Sequence, residues 1–421
     1  MMIKMTKVME KYSSYKDSGV KWLGEIPSHW ELRHLRNFLT IFSEKGYGDS
    51  QLLSVTRERG VILRDKENKE ENHNFVPDDL SGYKHLNAGD FVINKMKSWQ
   101  GSYGVSEYDG IVSPAYFTCK LKGVSPQFFS RAIRSKAYIG FFMQYSKGIR
   151  VDQWDLDPNS MKDIPFVLPP LSEQNAIASY LDSVTSQIDV AIEQQKKMIE
   201  LLNERKQIII NNAVTKGLDP NVKMKDSGVD WIGEIPEHWQ LLPYRYLFYN
   251  LDKLRMPITA DQRSRNNPQY DYYGASGVID KIDYYNVDDK VLLIGEDGAN
   301  LLLRNLPLIY KAEGKFWVNN HAHILKPIRD DYDFLAYVME AADYTLYITG
   351  SAQPKLSQSN LNCVKLPIPP ISEQKQIVDY LSKRTGKIDE TMNESNKMIS
   401  LLQERKQIII NEVVTGKVKV S

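Results

Sequence analysis

The sequence of 421 residues has few cysteines, no long apolar run and almost no net charge. Its cysteines, Cys119 and Cys363, lie in different halves of the chain, which excludes a disulfide framework or a cysteine-rich zinc site and favours the reducing cytoplasm. No stretch of about 18 apolar residues is present, so we expect no membrane-spanning helix, and the first residues lack the apolar core of a signal peptide. Lysine and arginine number 54 and aspartate and glutamate 53, so any binding of nucleic acid must depend on local charge.

The sequence also lacks the short motifs of common enzymes. It contains no GxxxxGKS/T phosphate-binding loop, no GxGxxG, no GxSxG and no HExxH sequence. Its proline pairs stand in "LPPL" and "IPPI", whereas the Asx-Pro-Pro-aromatic motif of amino-methyltransferases would need an asparagine or aspartate first. We therefore predict a binding protein that has no catalytic residues and holds neither a cofactor nor a metal ion.

Two passages of the sequence occur twice. "KDSGVKWLGEIPSHW" at residues 16–30 returns as "KDSGVDWIGEIPEHW" at residues 225–239, an offset of 209. The segment from "LPPLSEQ" to "LLNERKQIIIN", residues 168–211, returns at residues 368–411 with an offset of 200 and no change in length. A segment of constant length beside material of variable length indicates a rigid element that separates two variable ones.

The rigid element is predicted to be a long helix. Apolar residues recur in it at spacings of three and four, the pattern of a coiled-coil face. These positions are Ile177, Leu181, Val184, Ile188, Met198, Leu202 and Ile209 in the first copy and Ile377, Leu381, Ile388, Met398, Leu402 and Ile409 in the second. Ser172 and Ser372 are suitable caps, and Arg205 and Arg405 interrupt the apolar face. We expect helices at residues 168–217 and 368–416, each about 60 Å long, that pair as an antiparallel coiled coil.

The remaining segments, residues 16–165 and 225–365, are rich in aromatic and β-branched residues, glycine and turn signals. This composition predicts two mixed α/β domains built on short strands, so the fold class is α+β, with domains and long helices in alternation. If the halves are equivalent, a pseudo-twofold axis relates them. The repeat at residues 16–30 then packs, through Trp22 and Trp30, beside residues 405–415 of the second helix, and the chain forms a pseudo-circle.

The first domain contains a basic stretch without acidic residues. No aspartate or glutamate occurs from residue 110 to residue 151. The basic residues of this stretch are Lys120, Lys122, Arg131, Arg134, Lys136, Lys147 and Arg150. A solvated basic face is one explanation, and binding of an anionic partner is the one we favour. Just upstream, "NKMKSWQGSYG" has residue types that contact phosphates, stack or read base edges, with a polar hairpin loop as the alternative.

In the second domain, "WVNNHAHIL" alternates so that Asn319, His321 and His323 share one face of a strand. Two histidines without a third ligand make a poor zinc site, so a role as hydrogen-bonding readers, or as satisfied buried polar groups, fits them better. "GEDGAN" at residues 295–300 is predicted as a turn, and no base that would act together with Asp297 is evident.

The order of these features resembles that of the specificity subunit of type I restriction–modification enzymes. The resemblance extends over almost the whole chain from Lys16 onward and depends on "WxGEIPxHW", "PPLSEQ" or "PPISEQ" and the long helices, each present twice. It implies that each domain is a target-recognition domain for one half of a split DNA site, and that the helices are spacers. It also implies a non-catalytic chain that brings two methylation subunits and two restriction subunits to double-stranded DNA. These partners would supply S-adenosylmethionine, ATP and Mg²⁺.

The resemblance locates recognition loops more firmly than single contacts, because such loops vary with the DNA they read. The predicted DNA-contacting residues of the first domain are Lys95, Lys97, Trp99, Gln100, Ser102, Tyr103, Arg150, Gln153 and Trp154. Those of the second are Tyr272, Tyr273, Ser276, Asn319, Asn320, His321, His323, Gln353 and Lys355. Two alternatives remain: a coiled-coil scaffold with protein-binding domains, and a DNA methyltransferase or nuclease with an unrecognised site.

Overall fold

The computed structural model describes residues 10–65, 76–148, 154–263, 268–350 and 353–420. They form two compact units: the first combines the chain up to Gln195 with the chain from Lys397 onward, and the second is Lys196–Asn396. Because these boundaries fall within two long helices, each unit contains half of each helix. Within the described ranges, no helix is long and apolar enough to cross a membrane.

The first unit is built on short antiparallel strands. These are β1 (Tyr15–Asp17), β2 (Glu25–Pro27), β3 (Glu31–His34), β4 (Leu39–Phe42), β5 (Leu53–Thr56), β6 (Gly60–Leu63), β7 (Lys84–Leu86), β8 (Phe91–Ile93), β9 (Tyr103–Val105), β10 (Gly110–Val112), β11 (Phe117–Leu121), β12 (Ser146–Lys147), β13 (Asp155–Leu156) and β14 (Pro165–Leu168). Its helices are α1 (Pro126–Ile133), α2 (Lys136–Tyr145), α3 (Pro158–Lys162) and the first half of α4 (Leu171–Lys216). The central sheet has the order β4–β11–β8–β9, and its inner side chains join those of α1 and α2 in one core.

The second unit has longer strands. These are β15 (Met224–Asp226), β16 (Glu234–Pro236), β17 (Gln240–Pro243), β18 (Phe248–Asn250), β19 (Tyr270–Gly274), β20 (Gly277–Ile282), β21 (Val287–Gly295), β22 (Ile309–Val318), β23 (Ala322–Pro327) and β24 (Lys365–Ile368). Its helices are α5 (Asn300–Leu303), α6 (Tyr332–Ala341), α7 (Gln358–Leu361) and the first half of α8 (Ile371–Val414). The main sheet has the order β18–β23–β21–β22–β19–β20, in which β19 and β22 are parallel. The prediction of two mixed α/β regions is confirmed.

The two long helices are also confirmed, with α4 and α8 slightly shorter than predicted. Both begin directly after a proline pair, and the carbonyl of Pro170 accepts the first helical hydrogen bond, from the amide of Gln174. The expectation that Ser172 and Ser372 cap the helices is therefore wrong, because each serine already lies in the first turn. Proline fits the position before a helix because it has no amide proton to leave unpaired.

The buried face of the helices differs from the predicted one in its second part. In α4, Ile177, Leu181, Val184 and Ile188 are buried as expected, and Ile192 follows them. Met198 and Met398 are nearly half exposed, and Arg205 and Arg405 do not interrupt the face because they point to solvent. The buried residues Val184, Ile188 and Ile192 follow one another at two successive spacings of four. Relative to alternating spacings of three and four, the buried face is therefore displaced by one residue. A helix with 3.6 residues per turn drifts in this way from a strict seven-residue repeat.

In each unit the two half-helices run in opposite directions. In the first unit, Trp30 binds Glu173 near the start of α4 and lies against Gly416 just after α8, whereas further along both helices Lys406 binds Asp189 at 2.6 Å. In the second unit, Trp239 binds Glu373 and lies against Gly217, and Lys206 binds Asp389 at 2.6 Å. The antiparallel pairing of the long helices is therefore present within each unit.

The repeated Ser-Glu-Gln sequence has the same contacts in both units. Nε1 of Trp30 donates to Glu173 at 3.1 Å, and Nε1 of Trp239 donates to Glu373 at 3.1 Å. The buried glutamine beside each glutamate binds the globular part of its own unit. Gln174 accepts from the amide of Ser125 at 2.8 Å, and Gln374 accepts from the amide of Asp331 at 2.8 Å. The motif thus attaches the start of each long helix to the neighbouring strands and helices.

The N-terminal repeat lies beside the end of α8, as predicted. The amide of Lys419 donates to Glu10 at 2.7 Å, and Nζ of Lys417 donates to the carbonyl of Leu23 at 2.9 Å. Trp30 is fully buried there, but the same role for Trp22 is wrong, because its side chain is 72% exposed. Leu23, the next residue, occupies the core instead.

Candidate nucleic-acid interface

The two predicted loops of the first unit lie together. The loop after β8 contains a 3₁₀ turn, Ser98–Gln100, which places the ring of Trp99 5.3 Å from that of Trp154. Nζ of Lys95 lies 3.0 Å from the Asp155 carboxylate, and the carbonyl of Lys95 accepts from the amide of Leu156. These contacts bring residues separated by more than fifty positions into one surface.

Exposure divides the residues of this first site. Lys97 is exposed, and Lys95, Trp99, Gln100 and Trp154 are half-buried, so DNA contact by these five stays a prediction. Arg150 and Gln153 lie outside the described residues.

Two of the predicted contact residues of the first site belong to the core. Ser102 and Tyr103 are buried, and the ring of Tyr103 stacks on Phe142 with centroids 4.1 Å apart. Burial also raises the pKa of the Tyr103 hydroxyl. We correct the prediction for these two residues, because buried side chains cannot reach DNA. They support the loop from the core of the unit.

The acid-free stretch does not form one basic face. Lys120 binds Asp90 at 2.8 Å, Arg131 binds Asp182 on α4, and Arg134 is largely buried. Among the other basic residues of the stretch, Lys122, Lys136 and Lys147 are exposed and Arg150 lies outside the described ranges. The expectation of a single anion-binding surface is therefore corrected to a few separate exposed lysines.

The predicted loops of the second unit converge around the turn after β21. The amide of Asn319 donates to the carbonyl of Tyr273 at 3.1 Å, which joins the loop before β23 to the β19–β20 hairpin. The amide of Glu296 donates to the carbonyl of His321 at 2.8 Å. The amide of Leu356 donates to the carbonyl of Glu296 at 2.7 Å. All three predicted loops thus meet at "GEDG", which the sequence had indicated only as a turn.

A charged network underlies this second site. Glu296 accepts from Arg255 and, at 3.1 Å, from Lys355, and Arg255 also lies 3.5 Å from Asp252. Burial opposes ionisation of Glu296, but the hydrogen bonds from Arg255 and Lys355 keep its pKa below the ordinary value. Neither Arg255 nor Glu296 was predicted, because only the folded chain brings positions 255, 296 and 355 together.

His321 and His323 have different roles. His321 is half exposed, and its Nδ1 lies 2.8 Å from the Asp297 carboxylate, which leaves Nε2 at the surface. Asp297 therefore has a histidine partner that the sequence did not reveal. His323 is fully buried, with Nδ1 2.6 Å from Asp252 and Nε2 2.8 Å from the carbonyl of Leu356. Asp252 and Leu356 lie in different loops, so His323 holds these two loops together.

Four predicted residues of the second site are corrected for the same reason as Tyr103. Tyr272, Tyr273, Asn319 and His323 are buried, so they support the loops from inside. The exposed members are Ser276, Asn320, His321, Gln353 and Lys355, for which DNA contact stays a prediction. Within the described ranges, no group of three or more histidine, cysteine or acidic side chains is arranged to hold a metal ion.

Known proteins resemble the chain over most of its length. The family model of the type I restriction modification DNA specificity domain matches residues 248–400. A putative type I restriction enzyme MjaX specificity subunit of Methanocaldococcus jannaschii is 25% identical, over 96% of this chain and 98% of that protein. A putative specificity subunit of Haemophilus influenzae, S.HindORF215P, is 31% identical over 32% of this chain and 34% of its own length.

A solved structure has the same fold. It is described as "Structural basis underlying complex assembly and conformational transition of the type I R-M system", and one of its chains superimposes with a TM-score of 0.67. The match covers 92% of this chain and 98% of that chain at 13% identity.

The chain is similar to type I specificity subunits over most of its length.

The two candidate interfaces occupy equivalent places in their own sheets. In the first unit, β8 pairs with β11 and the Lys95–Tyr103 loop follows β8. In the second unit, β21 pairs with β23 and the "GEDG" turn follows β21. The sequence carries a signal for this turn, because "KVLLIGEDG" and "GDFVINKMK" are both apolar strands followed directly by charged residues.

Proposed function

We propose that the chain is the sequence-specific DNA-binding subunit of a type I restriction–modification enzyme, and that it recognises a split target with one half for each unit. The observation that carries the proposal is the convergence of loops, in each unit separately, at the end of one strand of the central sheet. The accessible side chains of these loops are basic, amide and aromatic in the first unit, and basic, amide, hydroxyl and imidazole in the second. Such side chains contact phosphates, stack on bases and read base edges.

The chain itself is non-catalytic and directs partner subunits in the cytoplasm. Two methylation subunits bring S-adenosylmethionine and modify the target, and two restriction subunits bring ATP and Mg²⁺. The similarity to type I specificity subunits supports this division of labour. The proline pairs support it as well, because each begins with leucine or isoleucine in place of the asparagine or aspartate of a methyltransferase motif.

The target-recognition domains are residues 16–165 and 225–365, and the helices at residues 168–217 and 368–416 are spacers related by a pseudo-twofold axis. Helix α4 has 46 residues, which corresponds to roughly 70 Å. This length exceeds one DNA turn of about 34 Å, so two half-sites on one face of the duplex are within reach.

The test is co-expression of the chain with a methylation subunit, followed by genome-wide mapping of methylated bases. We expect a two-part motif with an undefined middle. A continuous motif would contradict the split target, and no motif would favour a scaffold that binds protein. Methylation or cleavage of DNA by the purified chain alone, with S-adenosylmethionine or Mg²⁺, would show that it is an enzyme.

The spacer role has a separate test. One or two helical turns are inserted into both long helices at the positions where the compact units divide, next to Gln195 and Asn396. The undefined middle should become longer while both half-motifs stay the same. If the half-motifs change instead, the helices do more than set the spacing.

A further inference from the structure

A second basic segment of the first unit lies beside the Lys95–Tyr103 loop. It is the turn between β5 and β6, where Arg57 and Arg59 are exposed on either side of an exposed Glu58. The approach of the two segments is close: a Cβ atom on Gly104 would lie 3.4 Å from Cα of Gly60. The turn and the loop are therefore direct neighbours in the first unit.

Arg134, at the end of α1, fastens this turn to the loop. Its Nη1 donates to the carbonyls of Tyr103 at 2.6 Å and Gly101 at 3.3 Å. Its Nη2 donates to the carbonyls of Arg57 at 2.9 Å and Glu58 at 2.8 Å. A guanidinium group has the rigid fork needed to hold four backbone acceptors at once, and the ammonium group of lysine lacks this fork.

The Arg134 contact leaves a positive charge under the surface. Among the described residues, no carboxylate forms an ion pair with Arg134, and burial lowers the pKa of its guanidinium without removing the proton. The acidic residue of the turn itself is Glu58, between the two exposed arginines, and Asp155 beside the loop is paired with Lys95. Since carbonyl groups carry no net charge, the turn and the loop remain a basic surface.

We infer that the turn Arg57–Arg59 contacts backbone phosphates of DNA next to the half-site of the first unit, and that Arg134 is the positioning residue for this contact. The inference rests on the proposed function, because it adds a contact to the same interface. Arginine suits phosphate because it donates two parallel hydrogen bonds.

The experiment uses the complex of the full chain with its methylation subunits and a DNA duplex that contains the two-part motif mapped for the wild type. The variant replaces both exposed arginines (Arg57→Gln and Arg59→Gln), and the dissociation constant is measured between about 50 and 200 mM salt. Loss of two phosphate contacts should lower the slope of log K against log salt by about 2 and leave the methylated motif unchanged.

The matched control is Lys122→Gln. Lys122 is an exposed cation of the same unit. Strand β11 begins at Phe117, which pairs with Ile93 just before the Lys95–Tyr103 loop, whereas Lys122 follows the other end of this strand. This control should keep the wild-type slope. If the double arginine variant also keeps it, the inference is wrong while the proposed function stands. If the wild-type complex binds no target selectively, both are wrong.

The positioning role of Arg134 is tested in the same complex. Arg134→Met should relax the first half-motif and leave the second half-motif unchanged, and Arg134→Lys should recover only part of the fidelity because lysine cannot bridge four carbonyl groups. If fidelity in both half-motifs falls together, or neither changes, Arg134 has only a general structural role.

Discussion

The two joints between repeat and long helix have the same core contacts but different attachments. In the second unit, His238 and Trp239 bind Glu373 at 2.9 and 3.1 Å. In the first unit, His29 and Trp30 bind Glu173 at 2.6 and 3.1 Å, and the hydroxyl of Tyr12 donates a third hydrogen bond at 3.1 Å. The residue equivalent to Tyr12 in the second repeat is Asn221, which is exposed.

The difference follows from the path of the chain. The second repeat is joined covalently to the end of α4, because the short segment 218–224 connects Gly217 to residues 225–239. No peptide link joins the first repeat to the end of α8. Its attachment to the end of α8 consists of non-covalent bonds instead, from Lys417 to the backbone of Leu23 and from Lys419 to Glu10, and Tyr12 adds a bond to Glu173 at the start of α4. Equivalent joints therefore need extra contacts where the backbone does not connect them.

The largest expected effect comes from removal of the tryptophan in either joint. Trp30 and Trp239 are both buried, so replacement by alanine should cost about 3–5 kcal/mol in each case. Urea denaturation measures the loss, and hydrogen exchange should locate it in the first unit for Trp30→Ala and in the second for Trp239→Ala. Trp22→Ala is the control and should change stability by less than about 0.5 kcal/mol, because Trp22 is exposed. Equal effects of all three variants would contradict the buried joint.

The glycines at the two joints should differ in their tolerance of alanine. Gly416 and Gly217 have φ of 74° and 75°, which costs an alanine about 1–2 kcal/mol. A Cβ atom would also lie 2.4 Å from Cδ of Pro27 at Gly416, but 3.1 Å from a flexible Glu373 oxygen at Gly217. Thermal unfolding should therefore rank Gly416→Ala as more destabilising than Gly217→Ala.

The control for these glycines is Gly19→Ala. Gly19 has φ of 70° and no neighbour within 4 Å of the added carbon, so it reports the backbone strain alone. If Gly416→Ala costs no more than Gly19→Ala, the close packing against Pro27 is not important for stability.

The third prediction separates the joints by pH. Burial opposes ionisation of Glu173, but hydrogen bonds from His29, Trp30 and Tyr12 lower its pKa from the ordinary value of 4.5. Stability from this carboxylate is therefore present above pH 4.5 and is lost as the pH falls through the lowered pKa. Tyr12→Phe should cost about 1.5–3 kcal/mol at pH 7, and this cost should decrease as the pH falls below 4.5 and through the lowered pKa of Glu173.

The pH dependence is measured by urea denaturation of the wild type and Tyr12→Phe across this range. The matched control is Asn221→Ala at the equivalent position of the second repeat, which should have little effect at any pH. A Tyr12→Phe effect that stays constant over the whole acidic range in which the wild type remains folded would mean that the tyrosine does not act through the Glu173 carboxylate.

The smallest expected effect concerns the ion pairs of the long helices. Lys206 to Asp389 and Lys406 to Asp189 have nearly the same geometry in the two units, and both aspartates are about half exposed. Lys206→Met and Lys406→Met should each cost about 0.3–1 kcal/mol, by equal amounts and less at high salt. Exchange of the charges in one pair should restore its stability. A clear difference between the two lysines would show that the half-helix pairs are not energetically equivalent.

Local patterns were sufficient for the repeated elements of the fold. The long helices follow from apolar spacing and proline pairs, and the burial of Trp30 beside α8 follows from the two copies of its passage. The buried face of the second part of each helix was harder to predict. The spacing of four from Ile188 to Ile192 displaces this face, and Met198 is nearly half exposed. A repeat of seven residues alone does not contain this drift.

The candidate sites were predictable as loops but not as surfaces. Trp99 and Lys97 lie in a loop that composition indicates, yet the same composition also includes Tyr103, which is in the core. Exposure depends on which neighbour covers a side chain. Tyr103 is covered by Phe142 of α2, about forty positions away in the sequence. Arg134 was part of a basic stretch, and only its distance from four carbonyl groups separates it from the exposed lysines.

By itself, the sequence determined that the chain has two repeated passages and two long helices, and it located the candidate loops, because repetition and spacing are local properties of the chain. The tertiary structure decided which loop residues are exposed, which charges are neutralised and how the first joint is held without a peptide link. These features depend on contacts between positions far apart in the chain, such as Tyr12 with Glu173 and Arg255 with Glu296. Only the folded chain brings such residues within hydrogen-bonding distance.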